Sequence, residues 1–161
     1  MTNASTATEE VKKNSVFEKA SADTTTAAER EQCLATTLYA LHKSHTFYAG
    51  LFQCMNITYS HQLPTAGVSF SADMKRYELW LNPMFFCKAL NQEQRQAVML
   101  HEILHLCNSH LTRVPFMKVS NHNRKLLNVA GDIAINQYIQ HLPRGCPQCP
   151  PKEDMLQGAK C

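Results

Sequence analysis

No run of 18 apolar residues occurs in the 161-residue chain, so no transmembrane helix and no membrane partner are expected. The opening MTNASTATEEVKKN has no apolar core, so no secretory leader is expected either. Charge of one sign is scarce. Sixteen Lys and Arg stand against 13 Asp and Glu, a formal net charge of +3. The longest basic cluster, Arg124-Lys125, reads as solvated surface. Such a small and scattered excess argues against a nucleic-acid partner. No internal repeat is evident.

What is present suits one globular domain. Hydrophobic residues make up 44% of the chain, enough for a core without disulfides. Seven cysteines, Cys33, Cys54, Cys87, Cys107, Cys146, Cys149 and Cys161, are an odd number and sit mostly in apolar segments. With no leader expected, reduced thiols in a cytoplasmic compartment are the better reading.

Residues 1–26 are rich in Thr, Ser, Ala, Glu and Lys and hold little apolar surface to offset ordering entropy, so they read as a flexible tail or weakly docked helix. From Ala27 to Cys54 apolar residues recur at helical spacing, with a break near Ser44-His45. Short strand-like runs follow at Ile57–Ser60, Gly67–Phe70 and Tyr77–Leu81, the last two joined by a hairpin-like connection over 71–76. Asn91, with Gln94 three residues on, forms a capping box for a helix that should run to about Arg113. A further helix is expected from about Asn123 to Gln140, packing through Leu126, Leu127, Ala130, Ile133, Ala134 and Tyr138. The expected fold class is α+β: a small antiparallel sheet packed on a long helix and further helices. The expected organisation is a tail at 1–26, a domain at 27–142 and a Cys/Pro-rich tail at 143–161.

The chemistry concentrates at His101-Glu102-Ile103-Leu104-His105, an H-E-x-x-H run. Residues four apart lie about 40° apart around a helix, so both imidazoles reach one ion at roughly 2 Å. Glu102 stands about 100° to one side, where a carboxylate can take a proton from metal-activated water. A histidine on a helix is more often a surface group or a satisfied core residue. Here the helix is apolar nearly all round, and burying two imidazoles and a carboxylate is costly unless they pair or bind an ion.

A catalytic zinc needs a third protein ligand. His110 follows His105 by five residues, but a continuous helix turns it about 180° from His101. It could ligate only if the helix broke near Asn108-Ser109, and the run also lacks the glycine and spacing of metzincins. Asp132 is preferred. Asn128, Asp132 and Asn136 recur every four residues and share one helix face. Asn128, Asn136, His110 and Arg113 then become groups that orient ligands or substrate.

The stretches GVSF, LWLNPMFF, VMLHEILHLCNSHLTR and NVAGDIAINQYI, spanning roughly 30–142, resemble the metallopeptidase-like domain at the N-terminus of von Willebrand A-containing bacterial and phage proteins. The resemblance implies a zincin-like fold, a protein or peptide substrate, and an edge strand near Tyr77–Leu81 able to pair with an extended peptide. No von Willebrand A segment is present in these 161 residues.

His141, Cys146, Cys149 and Cys161 form an H-x4-C-x2-C-x11-C set that would just suffice for a second zinc, although a lone CxxC among prolines is more often a reduced loop. The functional expectation is a zinc metallopeptidase: Zn2+ on His101, His105 and Asp132, with Glu102 as general base. The alternatives are a non-catalytic interaction module on the same fold and a zinc hydrolase of non-peptide bonds. The intact Glu102 favours a catalyst, since a pure binding module needs no base there.

Overall fold

Thr26 starts the first helix by taking the backbone N–H of Glu29 on its hydroxyl, while the Glu29 carboxylate takes that of Thr26. The computed structural model describes residues 23–71, 73, 75–112 and 121–147. Helix α1 spans Ala27–Ser44 and α2 spans Thr46–Phe52, with the expected break at His45. Strands β1 (Met55–Tyr59), β2 (Ala66–Phe70) and β3 (Tyr77–Leu81) follow. A π-helical turn at Met84–Ala89 leads into α3, Gln92–Cys107, and α4 covers Asn121–Asn136. The architecture is α+β.

The sheet is mixed, not antiparallel as the sequence suggested. Its order is β1-β3-β2, with β1 parallel and β2 antiparallel to β3. The expected β2–β3 hairpin is present, and Ser71 N–H closes it on Arg76 O at 2.8 Å. Strand β3, expected at an edge, is instead the central strand. Its Leu79 and Leu81 are fully buried, whereas β1 turns Asn56 and Thr58 to solvent. The strand with most apolar surface to hide takes the place with a neighbour on each side. This leaves β2 as an edge.

The π-helical turn was not foreseen. Asn82 starts it by accepting the backbone N–H groups of Met84 and Phe85 at 3.0 and 3.1 Å, and the turn drives Phe86 fully into the core. Around Phe86 pack Leu41 of α1, Phe52 of α2, Leu79 and Leu81 of β3, and Met99 and Ile103 of α3. Each such side chain contributes roughly 1.5–3 kcal/mol through burial.

Helix α3 begins on the expected capping box, Asn91 with Gln94. It is shorter than expected. It ends at Cys107 with Asn108 as its cap, Ser109 takes φ +57°, and the chain is helical again at 110–112. Helix α4 also stops early, at Asn136, and packs on α3. Ile135 and Asn136 are buried. Leu126, Ala130, Ala134 and Tyr138, expected to pack, are exposed. Among the described residues no helix is long and apolar enough to cross a membrane.

Candidate metal centre

The floor of the site is α3. Ala97, Val98, Met99, Leu100 and Ile103 are buried against the sheet and helices, which fixes the helix in rotation and turns His101 and His105 toward α4. Helix α4 crosses opposite and brings Asp132 to them. His101 Nε2 and His105 Nε2 lie 3.0 Å apart, and Asp132 Oδ1 lies 3.6 and 3.1 Å from them. These three donor atoms form a group that could hold a metal ion, the only such group among the described residues.

The outer nitrogens are engaged as well. Asn136 Oδ1 lies 2.7 Å from His101 Nδ1, and His110 Nδ1 lies 2.9 Å from His105 Nδ1. A continuous helix would keep His110 away from the site, and Leu106-Cys107-Asn108-Ser109 between His105 and His110 includes no glycine or proline to break it. The break exists nonetheless, supplied by Ser109 in the left-handed region. It brings His110 to the far side of His105, outside the three-donor group. Burial holds His101 below the usual imidazole range; the Asn136 hydrogen bond opposes this. A neutral imidazole is the form that can donate a lone pair.

Glu102 is 9% exposed. Burial pushes its carboxyl up to about 7; the Asp132 charge adds to this, while the His105 charge and a backbone hydrogen bond from Val68 oppose it. A carboxyl poised there can both take and return a proton near neutrality.

The group opens into a cleft of about 580 Å³. One wall is Thr65–Val68, the start of edge strand β2. Another is Leu142–Pro147, and Asn128 and Leu111 complete the side nearest α4. The loop at 142–147 is tied to the site, because Asn136 Nδ2 donates to Pro147 O. Of the second suggested zinc set, His141 faces Glu93 at 3.5 Å and Cys146 lines the cleft, while Cys149 and Cys161 lie outside the described residues. Arg113 also lies outside them.

Sequence reasoning missed Gly131. A Cβ there would meet His110 Nδ1 at 3.0 Å and His105 Cε1 at 3.8 Å, so the bare backbone is what lets α4 approach the histidines. A signal existed: an isolated glycine inside a helix costs roughly 0.5–1 kcal/mol against alanine, and beside Asp132 it calls for a packing reason.

Residues 28–154 match the family model described as "Putative metallopeptidase domain". The chain belongs to that family. No curated protein and no solved structure matches it. Within the domain, the His101–His105–Asp132 group lies inside the matched span.

Proposed function

We propose that this domain is a zinc-dependent peptidase with a zincin-like arrangement, in which His101, His105 and Asp132 hold the ion and Glu102 handles the proton. The observation that carries the reading is the spacing of the three donors. A tetrahedral ion with bonds of about 2.0–2.1 Å sets its ligand atoms about 3.3 Å apart. The separations here are 3.0, 3.1 and 3.6 Å, with the outer histidine nitrogens already engaged. Two imidazoles and one carboxylate suit zinc, and three protein ligands leave a position open, as catalytic sites do. The residues present therefore fit the ion.

When bound, zinc supplies Lewis acidity, which activates water and polarises a carbonyl. The protein's own groups do the rest. Glu102 accepts the proton of the attacking water and delivers it to the leaving amine nitrogen, a role that its raised pKa suits. Among the described residues β2 is an edge of the sheet, and an extended peptide would lie along Thr65–Val68 as an added strand, competing with Glu102 for the Val68 N–H. The apolar faces of Val68, Phe85 and Val98 in the cleft would receive its side chains. Asn128, exposed on the cleft wall, would bind a substrate amide.

The test is metal analysis of the purified chain together with a peptide-library cleavage screen. About one zinc per chain is expected at this site. Glu102→Gln should keep the metal and lose cleavage by about 10²–10⁴. Cleavage that survives Glu102→Gln unaltered, or a chain that binds no zinc, would rule the reading out.

A further inference from the structure

We propose that Arg144 receives a carboxylate of the substrate, so that the cleft selects acidic peptides; this rests on the peptidase reading above. Most ionisable groups of the cleft already have work. His101, His105 and Asp132 form the three-donor group, and Glu102 handles the proton. Much of the remaining lining is apolar, including Val68 and Phe85. Arg144 is the one Lys or Arg among the described residues that line the cleft. Among the described residues its guanidinium has no ion-pair partner. Charge counting points the same way. Asp132 and Glu102 at most match the two charges of zinc, so the guanidinium is left over. A cleft with apolar walls focuses such a charge and raises the local concentration of anions.

The backbone fixes where Arg144 stands. Residues 143–146 form a turn, in which Cys146 N–H donates to Pro143 O at 3.5 Å and Gly145 takes φ +94°. Glycine at positive φ in the third place is the signature of a type II turn, and Arg144 takes the second place, on the bend. A side chain at 145 would have open space but a strained backbone. The turn is tethered on both sides to the helices that carry the site. His141 faces Glu93 of α3 at 3.5 Å, and Pro147 O accepts from the Asn136 amide of α4. Arg144 is exposed, yet its backbone is already ordered. A binding group ordered in advance loses less freedom when its ligand arrives.

The chemistry of the group names its ligand. A guanidinium is a planar fork of donors that meets both oxygens of a carboxylate at once. An amide offers one acceptor and no charge. A peptide has two sources of carboxylate, an Asp or Glu side chain and its own C-terminus.

The experiment measures binding and cleavage side by side on the full-length, zinc-loaded chain. The probes are matched short peptides, fluorescently labelled at the N-terminus. They carry Glu, Gln or Lys at one internal position and end in a free carboxylate or an amide. Affinity is read by anisotropy on the Glu102→Gln variant, which leaves bound peptide uncut. A peptide bearing the favoured carboxylate should bind about tenfold more tightly than its neutral partner, the worth of one charge-assisted hydrogen bond. A gap between Glu and Gln peptides assigns the carboxylate to a side chain, and a gap between free and amidated peptides assigns it to the C-terminus. Adding Arg144→Gln should bring each pair to equal affinity. Arg144→Glu should turn the preference toward Lys, a gain that a misfolded chain cannot produce. Acidic peptides that bind no better than neutral ones, or a preference that survives Arg144→Gln, would overturn the proposal and leave the peptidase reading standing wherever the wild type cleaves. An Arg144-dependent preference in a chain that cuts none of the peptides would uphold the carboxylate site and sink the peptidase reading instead.

Discussion

Replacing Gly131 with alanine tests how closely α4 must approach the histidines. Two effects of opposite sign compete. Alanine in a helix interior recovers roughly 0.5–1 kcal/mol relative to glycine. Its methyl, however, would stand 3.0 Å from His110 Nδ1 and 3.2 Å from His110 Cε1. Ordinary contacts between such atoms are about 3.5–4.0 Å, so the neighbour must yield by several tenths of an ångström. Overpacking of this kind costs roughly 1–3 kcal/mol. The balance favours a net loss of about 1 kcal/mol, a fall in Tm of about 2–4 °C for a chain of this size. A ring that swings away from the methyl strains its 2.9 Å contact with His105 Nδ1. Zinc affinity should then drop by about 10–100-fold, as when a ligand's supporting group is lost. Thermal unfolding with a chelator present reads the packing cost, and chelator competition reads the affinity. Gly131→Val, with more bulk and no comparable propensity gain, should exceed Gly131→Ala in both. An alanine variant about 1 kcal/mol more stable than wild type, with unchanged zinc affinity, would refute the reasoning.

Asp132→Ala should weaken zinc binding severely, and His110→Ala by about 10–100-fold; the reverse ranking in chelator competition would make His110 the ligand. Phe86→Ala, at a fully buried site, should cost about 3–5 kcal/mol in denaturant unfolding. Asp23 is held down to about 2, chiefly by the Thr25 hydroxyl and backbone N–H, with His61 and Arg30 assisting. Its pKa is depressed on folding, so its contribution is present above about 4 and is lost as pH falls toward 2. Melting curves of wild type and Asp23→Asn should accordingly converge as pH falls from 5 to 2, and parallel curves would remove Asp23 from the acid response.

The parts of this fold that could be read from sequence are those fixed by neighbours in the chain. The Thr26–Glu29 and Asn91–Gln94 caps are local chemistry, though only the second was recognised. His101, Glu102 and His105 follow from helical spacing alone, and Asp132 and Asn136 from a four-residue stripe. What failed was decided by distant contacts or by rare backbone states. Nothing local says that β3 inserts between β1 and β2, since strand pairing is settled by which apolar surface most needs cover. Ser109 at positive φ carries little local signal, because glycine and then asparagine are the residues that favour that region and serine is not among them. The outer face of α4 and the turn after it misled for another reason: Leu126 on the helix and Tyr138 just beyond it look like packing residues by type, yet they lie exposed.

The Asn136 amide has a consequence beyond holding a ring. A backbone carbonyl only accepts, so Pro147 O must face the NH2 end of that amide. The oxygen end is thereby turned to His101 Nδ1, and that nitrogen must carry the ring proton. His101 Nε2 is left bare toward Asp132 and His105. The tautomer of the first histidine is thus chosen by a main-chain oxygen on the rim of the cleft, and a ligand that lifted that rim would free the amide to flip and the proton to change nitrogens.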